Sequence, residues 1–223
     1  MATVLSTAID EAGAAGLPAL LAERLRGAIL TGALAAGTRL NQDRIAAENR
    51  VSHIPVREAL RRLEAEGLVT FAPRRGFFVA RLSAWDAAEL AEMRVALEGL
   101  AVRCSVARAT AADWADGAGA IAAAEATDDL ATWSARNWDF HRALYRAARR
   151  PRLMEAIEGL WRNADRYLRV AWQAADWQRR SQDEHREILA AYRRRDAAAA
   201  ERLVAAHVMD AARAVVELLG TDG

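Results

Sequence analysis

Lysine is absent from this chain: all 31 basic residues are arginine, a bias that genome composition alone can produce. Cysteine is nearly absent. Cys104 stands alone, which excludes an internal disulfide and any cysteine-based zinc site and leaves the thiol to act as a small buried hydrophobe. Long apolar runs are missing as well. None approaches the roughly 20 residues of a membrane span, and no basic segment followed by an apolar core opens the chain. A cytoplasmic protein with no membrane partner is therefore the default expectation. Strong net charge is also lacking, since 31 arginines against 30 acidic residues leave +1.

What the 223 residues do contain is 53% hydrophobic and 27% charged residues, an ordinary globular composition with room for one large domain or two small ones. Alanine runs with scattered Leu, Arg and Glu favour helix. The charge becomes informative when divided. Residues 1–82 hold 11 arginines against 8 acids, a mild positive bias, and the remainder is slightly negative.

Residues 1–16 are rich in Ala and Gly and read as frayed. From Leu17 the pattern is regular. Leu20, Leu21, Leu25, Ile29 and Leu30 recur at helical spacing, with Gly32 as a C-terminal stop. A loop with Gly37 and a short extended TRLN segment follow, then a short helix from Asp43 to Glu48. After a turn at Asn49 and Arg50 comes VSHIPVREALRRLEAEGLV. Ser52 is placed to cap a third helix, and Pro55 falls in its first turn, where a missing N–H costs nothing. Val56, Leu60, Leu63 and Leu68 form its buried stripe, with Arg57, Arg61 and Arg62 pointing elsewhere, and Gly67 ends it. Leu68–Phe71 and Phe77–Arg81 alternate as two strands around APRRG, a hairpin tip with Pro73 and Gly76. Three helices and a hairpin in this order describe a winged helix-turn-helix.

For each arginine a solvated helix face is the plain alternative. The arrangement favours DNA. A helix entering the major groove reads bases with its N-terminal residues, and arginine matches the paired acceptors of guanine. Arg57 lies in that first turn. Ser52 and the free N–H groups of the helix start suit a phosphate, and Arg74 and Arg75 at the hairpin tip are placed for backbone or minor groove. His53 reads equally as a donor to base or phosphate and as a wet loop histidine. One short recognition helix reads few bases, so a homodimer on a near-palindromic operator is expected.

The run from Leu17 to Ala80, with GTRLNQDRIA, VSHIPVREALRRLEAEGLV and RRGFFVA, resembles the DNA-binding domain of GntR-family bacterial transcription regulators. The resemblance implies a base-contacting arginine where His53 stands, and often another where Asp43 stands, with Arg44 beside it here. Asn49 and Arg50 replace the usual leucine and glycine of the turn.

The second half, from Ser83, reads as all-helical. Apolar periodicity of 3.6 residues runs through roughly 84–107, 110–125, 128–149, 151–173, 177–195 and 197–219. We expect a mainly α protein, with a winged helix-turn-helix over 14–82 and a helical bundle over 83–220. Arginine clusters at 148–152 and 193–195 read as solvated helix ends that complement the dipole, and the tryptophans read mostly as core or pocket lining. Asn137 and His141 lie four apart, in register with Leu130, Trp133, Leu144 and Ala148. His185 shares a face with Ile188, Leu189 and Tyr192, and His207 with Leu203, Val204, Ala211 and Leu218. One inward histidine is usually a hydrogen-bonded core residue. Three from three helices, with an oxygen donor, also describe a site for a borderline divalent metal.

NWDFHRALYRAARRPRL, DEHREILAAYRRRD and AERLVAAHV resemble the FCD domain, the effector-binding module of FadR-type GntR regulators, over nearly all of 84–220. Metal-binding members use an aspartate four residues before the first histidine and two more histidines, which map onto Asn137, His141, His185 and His207. The expected cofactor is a divalent metal such as Zn, Ni or Mn, weakened because Asn137 is a neutral amide. EMRVALEGLAVR matches the domain's first helix, where Arg94 either pairs with an effector carboxylate or with Glu98 at i+4.

Two functions follow. One is a ligand-responsive regulator, a repressor of transcription, that binds double-stranded DNA and a small organic acid. The other is a metal-dependent enzyme or metal sensor using the three histidines. The enzyme needs a positioned base, and only Asp183 and Glu184 are near in sequence, on helix positions that face away from the ligand side of His185. It also leaves the winged helix unexplained.

Overall fold

The computed structural model describes residues 13–81, 83–171 and 177–220. They fall into two compact units, one ending at Arg81 and one formed by the residues that follow.

The first unit runs α1 (Gly13–Leu30), β1 (Arg39–Leu40), α2 (Gln42–Asn49), α3 (His53–Ala65), β2 (Val69–Ala72) and β3 (Gly76–Val79). Helix α1 starts four residues before the expected Leu17. Gly32 follows it at φ 77°, the left-handed stop that glycine adopts without strain. The extended TRLN segment is a third strand: β1 pairs antiparallel with β3, Leu40 opposite Phe77, and β3 pairs with β2, Phe71 opposite Phe77. Leu21, Leu40, Ile45, Val56, Leu60, Leu63, Leu68 and Phe77 form one buried cluster.

The turn between α2 and α3 accounts for its unusual residues. Arg50 sits at φ 54°, a conformation that favours glycine, and closes α2 through its N–H. Asn49 is buried. Its Nδ2 donates to the Ile45 carbonyl at 2.7 Å and its Oδ1 accepts from Arg24, so the side chain ties α2 to α1.

The second unit runs α4 (Ala84–Ser105), α5 (Ala111–Glu125), α6 (Leu130–Tyr145), a 3-10 turn (Arg146–Ala148), α7 (Pro151–Ala171), α8 (Trp177–Arg193) and α9 (Ala197–Gly220). Its boundaries follow local chemistry. Asp129 accepts the Thr132 N–H at 2.8 Å to cap α6. At the start of α5, the Asp113 carboxylate accepts both the N–H and the hydroxyl of Thr110 at 2.8 Å, and Arg146 donates to it at 2.7 Å from across the bundle. One core cluster centres on Val102, Phe140, Leu144, Ile188, Tyr192 and Val208, another on Trp133, Trp161, Tyr167, Trp177 and Val215.

Three local expectations are corrected. Leu218, expected on the inward face of His207, is 42% exposed. Cys104 is half-buried. Arg195 is not simply solvated: it turns back to donate to the Ala107 carbonyl at 2.7 Å and so closes the end of α4. Trp172 lies outside the described residues.

Candidate nucleic-acid interface and metal centre

Helix α3 buries Val56, Ala59, Leu60 and Leu63, which turns the intervening residues outward. Ser52 occupies the N-cap position in extended conformation, but its hydroxyl makes no capping bond. The expected side-chain cap is thus replaced by an open helix start, with a free hydroxyl beside unfilled N–H groups. His53 is the first residue of α3 rather than the loop residue before it, and its Nδ1 lies 3.6 Å from the Asp43 carboxylate, both side chains exposed. Arg57 is exposed, and among the described residues it makes no ion pair. Arg44 is committed loosely, 3.5 Å from Glu48 one turn on. Arg61 is committed firmly: it pairs with Glu64 at 2.6 Å and lies 4.7 Å over the Phe71 ring. At the tip of the hairpin, Arg74 adopts φ 62° and Arg75 lies 5.4 Å over Phe78, so both guanidinium groups project at the surface. Sequence reasoning missed Ile54. It is 70% exposed on this same face, and the signal was an apolar residue off the helix's buried stripe.

In the second unit α6, α8 and α9 bring His141, His185 and His207 together. Their ligand nitrogens all lie within 4.8 Å of one another, and all three rings are buried. Each outer nitrogen has a designated partner. His207 Nδ1 donates to Glu184 Oε2 at 2.7 Å, and His185 Nδ1 donates to Gln182 Oε1 at 3.1 Å. His141 Nδ1 lies 3.1 Å from the Tyr145 hydroxyl, which itself donates to Glu98 Oε2 at 2.8 Å. Because that hydroxyl proton is committed to Glu98, its oxygen accepts from His141. These bonds place a proton on Nδ1 of each ring and leave the Nε2 lone pair for the centre.

Burial holds the His141 and His185 imidazoles well below their ordinary 6.5, reinforced by the neighbouring imidazole rings. Both are neutral and so able to act as ligands. Glu184 is the counterpart. Burial pushes its carboxyl up, but hydrogen bonds from His207 and Arg180 outweigh that and hold it below the ordinary value. Asn137, one turn before His141, is also buried, and its Oδ1 finds no partner among the described residues; neither do His141 Nε2 and His185 Nε2. Buried polar atoms in native proteins are normally paired. Three imidazoles whose nitrogens lie within 4.8 Å of one another, with orphaned lone pairs on two of them and on Asn137 one turn before His141, are the donor types of a borderline divalent cation, so these residues fit a metal.

A cavity of about 10 Å³ adjoins them, lined by Arg94, Asn137, Trp161, Trp177 and His207 among others. That is roughly the space of one water molecule. Arg94 also borders a second, mainly apolar cavity of about 20 Å³ beside Tyr167 and Leu168. Of the two readings of Arg94, the structure shows the pair with Glu98, fully buried at 2.7 Å, with the guanidinium 4.8 Å over Trp161. The roles of Tyr145, Gln182 and Glu184 at the histidines, and of Glu98 behind Tyr145, were not found from sequence, since each depends on a side chain of another turn or another helix.

Comparison with known proteins agrees with both units. Residues 19–79 match the family described as bacterial regulatory proteins, gntR family, and residues 89–210 match the FCD domain. The Nta operon transcriptional regulator of Aminobacter aminovorans is 32% identical over 82% of this chain and 87% of its own length. The HTH-type transcriptional repressor GlaR of Escherichia coli K12 is 30% identical over 70% of this chain and 76% of its own. The solved structure of E. coli McbR/YncC superposes with a TM-score of 0.75 at 25% identity, covering 91% of this chain and 98% of that one. The relatives are transcriptional regulators, not enzymes.

Proposed function

Because this chain belongs to the GntR family of bacterial transcriptional regulators and carries an FCD effector-binding domain, we propose that it is a cytoplasmic, homodimeric repressor whose DNA affinity responds to a small organic acid. The observation that carries the effector half of this reading is the meeting of His141, His185 and His207 nitrogens within 4.8 Å of one another, with a buried arginine lining the same cavity as Asn137 and His207. The name of GlaR supports the repressor role.

On the DNA side, Arg57 is the base reader, being the exposed, uncommitted guanidinium in the first turns of α3. Ser52 and the open helix start hold a phosphate, His53 and Arg44 flank the same surface, and Arg74 and Arg75 grip the backbone from the hairpin tip. In the helical domain, Asn137, His141, His185 and His207 would hold a divalent metal, which supplies a Lewis-acidic centre for the effector's carboxylate. Arg94 receives the far end of that acid. The cavity as it stands admits about one water molecule, so an acid enters only if Trp161, Trp177 and Leu168 part. Effector binding is then tied to a change in helix packing, and it shifts the population of dimers that fit the operator.

Two measurements test this. Selection from random double-stranded DNA should return a near-palindromic site. Arg57→Ala should then cost about 1–3 kcal/mol at one base pair per half-site, whereas Arg75→Ala weakens all sequences alike. Equal loss on selected and random DNA for Arg57→Ala contradicts its role. Calorimetry of candidate acids before and after chelation tests the bridging metal, which undiminished affinity rules out.

A further inference from the structure

Among the described residues of the first unit, Ile54 is the most exposed large apolar side chain, at 70%. It packs in no apolar cluster of that unit. It occupies the second position of α3, three residues before Arg57, so the two side chains lie next to each other on the solvent face. His53 precedes it, held toward Asp43. An isoleucine is thus flanked by an imidazole and a guanidinium that makes no ion pair among the described residues, and it belongs to no apolar cluster among them.

In the major groove the four bases offer hydrogen-bond donors and acceptors, and thymine alone offers an apolar group, its C5-methyl. A β-branched side chain in a helix is confined almost to one χ1 rotamer, so Ile54 presents its methyl groups in a fixed direction and loses little freedom on contact. Resting on the reading of α3 as the groove-entering helix, we infer that Ile54 determines specificity by packing on the C5-methyl of one thymine in each half-site, next to the base read by Arg57. Exposure of Ile54 in the free protein is then what the contact requires, and contact with the methyl removes its apolar surface from water.

The test uses the full chain and the consensus site it selects from random double-stranded DNA. Each consensus thymine is replaced in turn by deoxyuridine, which removes the methyl and keeps every hydrogen-bonding group. For the wild type, one position per half-site should lose about three- to tenfold in affinity, the worth of one or so buried methyl groups. For Ile54→Ala that position should be indifferent to the change, and Ile54→Val should keep part of the dependence. Melting temperature should change little and affinity for random DNA should be the same for all three proteins, since Ile54 is 70% exposed and lies outside the apolar core of its unit. A selected site whose uracil versions all bind the wild type undiminished overturns the role of Ile54, as does an equal loss in wild type and Ile54→Ala. Failure of the wild type to select any sequence overturns the assignment of α3 itself, and the role of Ile54 with it.

Discussion

Glu184 of α8 accepts the Nδ1 proton of His207 of α9 at 2.7 Å. Helical phase turns Glu184 away from the ligand nitrogen of its neighbour His185, as the sequence suggests, yet packing of α9 makes that outward face the one that orients another histidine. A carboxylate behind an imidazole fixes the tautomer and raises the basicity of the free nitrogen. Glu184→Gln should therefore weaken zinc by about 10–100-fold with little change in melting temperature of the metal-free protein. Competition against a chromogenic chelator measures it, and unchanged affinity removes Glu184 from the site.

Asn137 brings no charge to a ligand set otherwise made of imidazoles. Asn137→Asp should tighten zinc, nickel or manganese by about tenfold or more, because affinity follows the charge of the ligand set. The alternative is that Asn137 is a core amide, in which case the change buries an unpaired carboxylate and destabilises the domain. Metal titration with melting temperature as readout separates the two. A variant that melts lower and gains nothing from any of the three metals returns His141, His185 and His207 to the effector pocket alone.

Arg94 and Glu98 form a pair with 4% and 1% side-chain exposure. Removing one partner strands the other charge in the core, so Arg94→Ala should cost about 3–5 kcal/mol. Replacing Glu98 as well removes the stranded charge. The double variant with Glu98→Gln should be more stable than Arg94→Ala alone, as denaturant unfolding of the four proteins in the cycle will read. Additive losses would mean that the pair is not coupled.

Asp113 holds the start of α5 to the turn after α6. Burial raises its carboxyl, but bonds from the Thr110 N–H, from Arg146 and from the Thr110 hydroxyl outweigh that and hold it below the ordinary 3.8. A carboxyl depressed in the folded state stabilises the fold above its unfolded value and loses that contribution as pH falls through the folded one. Asp113→Asn should cost about 1 kcal/mol at neutral pH, because it removes the charge that strengthens the bonds to Thr110 and Arg146. The gap between variant and wild type should begin to close near pH 3.8 and vanish below it. A gap independent of pH assigns the loss to packing instead.

Helix positions, the order of helices and hairpin, and the inward register of Asn137, His141, His185 and His207 were legible in the sequence, because a period of 3.6 residues and a stop such as Gly32 act over one or two turns of chain. Arg57 was legible for the same reason, as the arginine off the buried stripe in the first turns of α3. Tertiary structure alone decided the pairing of β1 with β3, the use of Asn49 to hold Arg24, and the open start of α3 at Ser52. It also decided which nitrogen each histidine turns inward. Tyr145 and Glu98 meet across 47 residues, and Glu184 and His207 across 23. Such bonds depend on how helices pack and which rotamers the packing allows, and a periodicity confined to one helix carries no information about the residues another helix will bring to it.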